Sequence, residues 1–135
     1  MTGSADRRLG LVALVVADYD EALAWYCDVA GFTAIEDTAL PGGKRWVVVA
    51  PSADAGARLL LAKADGAAQA ARVGDQTGGR VGFFLNTDDF PRDHAAMLAR
   101  GVRFLEQPRH EAYGSVAVFE DLYGNKWDLI GPPRA

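Results

Sequence analysis

One carboxylate stands out near the end of the chain, in the stretch "NKWDLI". Asp128 interrupts an apolar run of strand length, and a buried strand does not need a charged side chain in its middle. A lone carboxylate there would cost several kcal/mol unless a cation or a hydrogen-bond donor meets it. Asp128 is therefore the first candidate for ligand binding, and the best one for acid–base catalysis.

Other side chains with chemical potential lie in a loop and in two helices. The loop "QPRHEAYG" carries Arg109, His110 and Tyr113, and Tyr113 stands where the loop enters the next strand, a position typical of a cavity rim. His94 falls in a predicted helix and is expected at the surface. Cys27 is the single cysteine, so it cannot form an internal disulfide, and we interpret it as a packed helix residue.

The elements that must position these residues occur twice. Residues Gly10–Phe32 and Gly79–Val102 share one order: apolar strand, acidic helix start, amphipathic helix, glycine, apolar strand. In the alignment that we infer, Leu11 falls on Arg80 and Asp20 on Asp89. One extra residue in the second copy then brings Gly31 onto Gly101. Further on, "GARLLL" resembles "GNKWDL", which places Leu60 on Asp128.

Each half therefore reads β-α-β-β-β, over residues 9–63 and 80–132, with a polar linker at 64–79 that holds two helical turns at most. The first helix starts at an Asp18 cap and ends at Gly31. The second is predicted from about Asp89 to Arg100. The stretch 37–44 is predicted as a loop, and its paired glycines fit either a hairpin turn or a mobile lid. The predicted fold is α+β: two βαβββ modules that form a curved mixed-sheet cup with helices outside.

Composition narrows the class of protein. The chain has 135 residues, half of them hydrophobic, and a net charge of −4, which fits one packed domain over residues 1–135. The acidic balance argues against a nucleic-acid partner. No apolar run has the length of a membrane span, and "MTGSADRRLG" lacks the apolar core of a signal peptide. We expect a cytoplasmic protein.

The two opening stretches and the closing "FEDLYGNKWDLI" resemble the vicinal oxygen chelate superfamily, which includes glyoxalase I, bleomycin resistance proteins and extradiol dioxygenases. The resemblance runs from about Leu9 to Pro132. It implies a cup floored by the sheets, often with a divalent metal, and pairing of two chains into a homodimer. The fold hosts many chemistries, so it does not fix the function.

The metal that the resemblance implies lacks ligands in this sequence. Metal-dependent members use ligands from the first and last strands of each half, which match Leu11, Leu60, Arg80 and Asp128 here. Leucine has no lone pair to donate, arginine is a cation, and one carboxylate does not make a transition-metal site. We therefore expect no metal, no other cofactor, and neither a metallo-glyoxalase nor an extradiol dioxygenase.

In place of the metal, we predict an ion pair between Arg80 and Asp128, which either ties two strands together or orients a polar ligand. Strand alternation directs Leu11, Arg80 and Phe84 into the cup, and Trp46 either faces the cup or packs in the core. The predicted ligand-binding residues are Leu11, Trp46, Leu60, Arg80, Phe84, Arg109, Tyr113 and Asp128.

Two functions remain open. The first is a metal-independent protein that binds an amphipathic or aromatic small molecule, as the bleomycin resistance proteins do. The alternative is a metal-free lyase, isomerase or biosynthetic cyclase in which Asp128 acts as base or acid and Arg80 stabilises an enolate or oxyanion. A carboxylate already paired with arginine would have a lowered pKa, which argues against the enzyme.

Overall fold

The N-terminal half folds into one four-stranded mixed sheet. The computed structural model describes residues 5–54 and 56–134. The elements of this half are β1 (Leu11–Val16), α1 (Tyr19–Ala24, continued by a π-helical turn over Trp25–Val29), β2 (Thr33–Ala39), β3 (Arg45–Ala50) and β4 (Arg58–Lys63). The strand order is β1-β4-β3-β2, and β1 runs parallel to β4.

The C-terminal half repeats this topology. The linker before it contains one short helix, α2 (Ala67–Ala70). The elements of the C-terminal half are β5 (Phe83–Asn86), α3 (Phe90–Ala99), β6 (Arg103–Phe104), β7 (Arg109–Glu111), β8 (Gly114–Glu120) and β9 (Lys126–Gly131). The order is β5-β9-β8-β6, and β7 also pairs with β8. Strands β6 and β7 together therefore occupy the place of β2. Within the described ranges, no helix is long and apolar enough to cross a membrane.

Both main helices begin and end in the same way. The Asp18 carboxylate accepts a hydrogen bond from the Glu21 amide (2.8 Å), and the Asp89 carboxylate accepts one from the Arg92 amide (3.1 Å). Each bond satisfies an amide of the first turn that has no partner inside the helix. Gly31 and Gly101 follow the helices with φ values of 85° and 94°, which side chains with a Cβ rarely adopt. The predicted cap at Asp18 and stop at Gly31 are confirmed.

The register of the repeat differs from the sequence alignment. The caps align Asp18, not Asp20, with Asp89, and Gly31 lies 13 residues after its cap whereas Gly101 lies 12 after its own. The extra residue thus belongs to the first copy. It is absorbed by the π-helical turn, where the Ala30 amide donates to the Trp25 carbonyl five residues back (2.9 Å).

Two element boundaries, those of β2 and β5, also differ from expectation. Strand β2 continues to Ala39, because Asp37, Thr38 and Ala39 all pair with β3; the predicted loop at 37–44 is reduced to its second part. There, a 3₁₀ turn over Pro41–Gly43 is closed by a hydrogen bond from the Leu40 amide to the Lys44 carbonyl (2.8 Å). The linker contains the single short helix α2. Strand β5 begins at Phe83, so Arg80 precedes it.

The two sheets share one hydrophobic core. It combines one face of the N-terminal sheet, the α1 region, α3 and one face of the C-terminal sheet; its residues include Leu14, Val16, Tyr26, Phe32, Val47, Val49, Leu59, Leu61, Met97, Ala117, Phe119, Trp127 and Leu129. Strand alternation turns the second face of each sheet away from this core. We call these second faces the open faces of the sheets.

One polar contact ties the halves together inside this core. The Tyr26 hydroxyl, on the π-helical turn, donates to the Asp121 carboxylate (2.6 Å). Asp121 begins the turn between β8 and β9 and also accepts from the Tyr123 amide, the Asn125 amide and the Asn125 side chain (2.8–2.9 Å). Tyr26 packs edge-on against Phe32 and lies 6.0 Å from the Trp127 ring. Burial and the adjacent Asp121 carboxylate hold the pKa of Tyr26 well above its usual value, so the phenol remains a donor.

This contact predicts that Tyr26→Phe lowers the free energy of unfolding by roughly 1–3 kcal/mol, because the buried Asp121 carboxylate loses a donor that water does not replace. Urea denaturation measures the change. Tyr123→Phe is the matched control: its hydroxyl donates to Glu21 at an exposed site (2.9 Å), and we expect a loss below roughly 1 kcal/mol. Equal losses in the two variants would show that the buried contact is not special.

Candidate functional site

Asp128 lies in the middle of β9 on the open face of the C-terminal sheet. It pairs with Phe84 on β5 and Val118 on β8, so apolar side chains flank it in its row. Its neighbours along the strand, Trp127 and Leu129, point into the core. Within the described chain, Oδ1 of Asp128 is sealed from solvent and has no hydrogen-bond partner. Burial raises the pKa of the Asp128 carboxyl; nearby Arg109 opposes this shift and Glu106 adds to it.

The predicted ion pair between Arg80 and Asp128 is wrong. Arg80 is exposed and its Nε donates to the Val81 carbonyl (3.3 Å). The cause is the register: Leu60 pairs with Ala13 and Asp128 pairs with Phe84, so Ala13 corresponds to Phe84. By the same offset, Leu11 corresponds to Gly82 rather than to Arg80. The sequence alignment was therefore shifted by two residues. Such a shift keeps side chains on the predicted face of the strand, but Arg80 itself lies before the start of β5.

Arg109 is a cation whose charge acts on Asp128. Arg109 on β7 pairs with Val116 on β8, which in turn pairs with Ile130 on β9. Ile130 is two residues from Asp128 on the same strand, so Arg109 and Asp128 lie on the same open face. Its Nε donates to Glu106 (3.0 Å), and its guanidinium also lies 3.7 Å from Glu111. Tyr113 contributes, after Glu106, to raising the pKa of Arg109. The structure thus brings together four of the predicted residues: Phe84, Arg109, Tyr113 and Asp128.

Glu106 is a member of this group that the sequence did not indicate. Its Oε2 accepts a hydrogen bond from the Val118 amide (3.0 Å), at the gap between β6 and β7 where a strand carbonyl would otherwise lie. Its other oxygen accepts from Arg109 (3.0 Å). Glu106 thereby both fills the gap in the sheet edge and holds the arginine. The apolar strand predicted after Gly101 gave no sign of the interruption that creates this role.

The remaining predicted residues lie on the N-terminal sheet. Leu60 pairs with Ala13 and Val48 on the open face, and Trp46 shares this face by alternation with Val48. Trp46 is 38% exposed and, with Leu60 and the Gly42–Gly43 turn, lines a cavity of about 510 Å³. Leu11 starts β1 opposite Arg58. These three residues and the Asp128 group therefore stand on two different sheets.

Neither histidine belongs to the Asp128 group. His110 lies beside Arg109 on β7 but points to the other face, where its Nδ1 is 2.9 Å from the Ser115 hydroxyl. His94 stacks on Phe90 and meets Phe104 edge-on, and it is half-buried rather than on the surface. Burial lowers the pKa of His94. Cys27 is also half-buried, and burial raises the pKa of its thiol.

A divalent metal does not fit the corrected set of positions. By strand pairing these are Leu11, Leu60, Gly82 and Asp128, and only Asp128 carries a ligand atom in its side chain. Across residues 5–54 and 56–134, no group of three or more His, Cys, Asp or Glu side chains is arranged to hold a metal ion. We therefore derive no chemistry through a metal.

The paired βαβββ sheets with open faces define the class of this protein. Residues 8–129 match the family model of the Glyoxalase/Bleomycin resistance protein/Dioxygenase superfamily, and the chain belongs to that superfamily. The predicted fold class and the predicted family are both confirmed.

Individual relatives add detail. An uncharacterized protein of Shewanella frigidimarina is 52% identical over 120 residues, which cover 88% of this chain and 89% of the relative. The crystal structure of UcmS2 is similar with a TM-score of 0.80 at 27% identity, covering 93% of this chain and 98% of that one. TnmS3, an antibiotic binding protein from Streptomyces sp. CB03234, is similar with a TM-score of 0.75 at 29% identity, covering 96% and 99%.

The unpartnered Asp128 oxygen predicts that Asp128→Leu raises the free energy of unfolding by roughly 1 kcal/mol at neutral pH, because a sealed acceptor without a donor is costly. The direction in which stability changes with pH follows from the raised pKa of Asp128 in the folded state. The folded protein holds the proton more tightly than the unfolded chain, so wild type loses stability as pH rises from about 4 through the folded pKa. The advantage of leucine should grow over that range.

Thermal unfolding between about pH 4 and pH 7.5 measures this difference. Glu120→Leu is the control on the same open face, because the Glu120 carboxylate is paired with Arg103 (3.0 Å) and its removal should bring no gain. A destabilised Asp128→Leu protein would mean that the carboxylate has an internal partner.

Proposed function

We propose that this protein is a metal-independent small-molecule-binding protein whose ligand is amphipathic or aromatic. The observation that carries the proposal is the composition of the open faces. Phe84 and Tyr113 are 56% and 65% exposed and lie beside Asp128 and Arg109, while Trp46 is 38% exposed on the other sheet. Large aromatic side chains near a few convergent polar groups are typical of sites that bind small organic molecules.

The similarity to TnmS3 supports the same class of function. That protein is described as antibiotic binding, and it shares 29% of its residues with this chain over almost the full length of both. The ligand of this chain is then an organic compound large enough to contact several aromatic side chains. The unpaired Cys27 fits a reducing compartment, and a cytoplasmic location is part of this proposal.

A homodimer would complete the binding site. Each open face is turned away from the shared core, so one chain leaves Trp46 and Leu60 on one surface and Asp128 and Arg109 on another. A second copy that lays its C-terminal sheet over the N-terminal sheet of the first would bury both surfaces around a ligand. Two-fold symmetry would form two such sites, each with one sheet from each chain.

A ligand screen by thermal shift tests the proposed function. We expect aromatic amphipathic compounds to raise the unfolding temperature equally with chelator and with added Zn²⁺, Ni²⁺ or Mn²⁺, because ligand binding stabilises the folded state by mass action. Stabilisation by a metal ion alone would contradict metal independence. A compound whose effect disappears in chelator would contradict it as well.

Mixing two variants tests whether the site is shared between chains. Trp46→Ala alters only the N-terminal sheet and Tyr113→Ala only the C-terminal one, so each homodimer would carry a defect in both sites. A heterodimer concentrates both changes in one site and leaves the other intact. After unfolding and refolding of an equal mixture, about a quarter of the sites should bind a hit from the screen with wild-type affinity.

Light scattering on the same samples measures the oligomeric state. A wild-type monomer that binds the ligand would contradict the shared site. So would a mixture whose binding is the average of the two variants measured separately.

A metal-free enzyme is the second candidate, and one observation favours it. Burial raises the pKa of Asp128, which makes its carboxylate a stronger base, whereas the predicted pairing with arginine would have made it a weak one. Arg80 cannot be its partner; Arg109 lies closer. Turnover of a compound from the screen that is abolished in Asp128→Asn, with binding retained, would favour the enzyme.

A further inference from the structure

Asp128 has no structural use that the fold reveals. Its row neighbours, Phe84 and Val118, offer only apolar side chains, and the amide of Val118 already donates to Glu106 (3.0 Å). The Nε of Arg109 donates to both oxygens of Glu106 (3.0 and 3.2 Å). In the part of the chain that the structure describes, Asp128 Oδ1 thus remains without a donor. A buried group in this state calls for an explanation outside the chain's own contacts.

The charge around Asp128 favours a cationic or donating ligand group. The charge of Arg109 lowers the pKa of Asp128, and the Glu106 carboxylate raises it by a smaller amount. Glu111 lies on β7 two residues after Arg109 and pairs with Gly114 on β8. Because strand side chains alternate, Glu111 and Arg109 face the same side of the sheet. Arg109 is held by both glutamates. With the Arg109 charge already bonded by these glutamates, an anion placed against Asp128 would be repelled by its carboxylate, whereas a cation would be attracted to it.

The apolar part of the ligand has a surface in the same row. Phe84 pairs with Asp128, shares its face and is 56% exposed. Asp128 is half-buried and its Oδ1 is sealed from solvent, so a ligand on the open face can reach only its second oxygen, Oδ2. A flat ring that contacts Phe84 would bring a substituent on its edge to Asp128. Aromatic rings prefer offset-stacked or edge-on contacts, and a cation next to such rings gains further attraction.

From these observations, we infer that the ligand is a flat aromatic amine whose protonated nitrogen binds the Asp128 carboxylate while its ring packs on Phe84. The inference rests on the proposed function and specifies the ligand class for that site. It assigns Asp128 a role in specificity: compounds without the amine lose the charge-assisted hydrogen bond, and compounds with a carboxylate are repelled.

Three acridine probes of nearly equal size test the inference: 9-aminoacridine, which is cationic at neutral pH, acridine, and acridine-9-carboxylate. Fluorescence titration of the full-length protein, in the oligomeric state that it has in solution, gives the dissociation constant of each probe. We expect 9-aminoacridine to bind wild type at least about tenfold more tightly than acridine, because a charged hydrogen bond stabilises the complex by roughly this factor. The carboxylate should bind weakest.

Asp128→Asn should weaken 9-aminoacridine about tenfold while acridine changes by less than about twofold, since only the charged contact is removed. Asp128→Leu, which we expect to fold more stably than wild type, provides a second variant with the same selectivity loss. Asp28→Asn is the matched control: it removes an equal charge at an exposed position of the π-helical turn and should leave all three constants unchanged.

The outcomes separate the inference from the proposal beneath it. If none of the probes binds wild type, the aromatic-binding function is contradicted. If acridine and 9-aminoacridine bind equally well, or if Asp128→Asn affects both alike, the binding function stands and the amine specificity is wrong. Tighter binding of the carboxylate than of the amine would also overturn it.

Discussion

The hydrogen bond between Tyr26 and Asp121 is the constraint on which the arrangement of the two sheets depends. It links the helix of the first half to the β8–β9 turn of the second, 95 residues apart in sequence, in a place where both side chains are nearly inaccessible to water. A buried carboxylate requires donors, and the turn supplies the others through Asn125 and the Tyr123 amide. Tyr26 completes the set only when the π-helical turn lies against Trp127 and the β8–β9 turn.

This contact determines which faces of the sheets remain open. With Tyr26 in the shared core, both sheets bury the face that carries residues such as Leu61 and Trp127, and each turns its second face away from that core. The side chains left on those faces are mixed: Val48 and Leu60 on one, Asp128 and Arg109 on the other. One surface is thus mostly apolar and the other carries charge, and together they have the composition of a single amphipathic site.

The sequence predicted the elements of the fold better than their register. Helix caps and stops depend on local chemistry, so Asp18 and Gly31 could be identified from their neighbours alone. The alignment of β1 with β5 had no such anchor, because "LVALVV" and "RVGFFL" fit each other equally well after a shift of two residues. A shift of two keeps every side chain on its face, so hydrophobic alternation could not reveal the error that placed Arg80 beside Asp128. The π-helical turn hid the extra residue in the first copy.

The sequence predicted those parts of the candidate site that depend on the alternation of side chains along regular strands. It did not predict the part that depends on the interrupted edge strand of the C-terminal sheet. Phe84 and Asp128 share a face because both strands are regular, and this follows from period two. Arg109 reaches them only because the edge strand is split into β6 and β7, with Glu106 filling the gap through its side chain. The same split explains why Asp128 stays unpaired: the arginine that could neutralise it is already bound by Glu106. A fold under selection for stability alone would place an apolar residue there, since replacing an unsatisfied polar group by an apolar one is neutral or stabilising. We therefore expect the carboxylate to lower the stability of the free protein, a cost that the proposed ligand would offset.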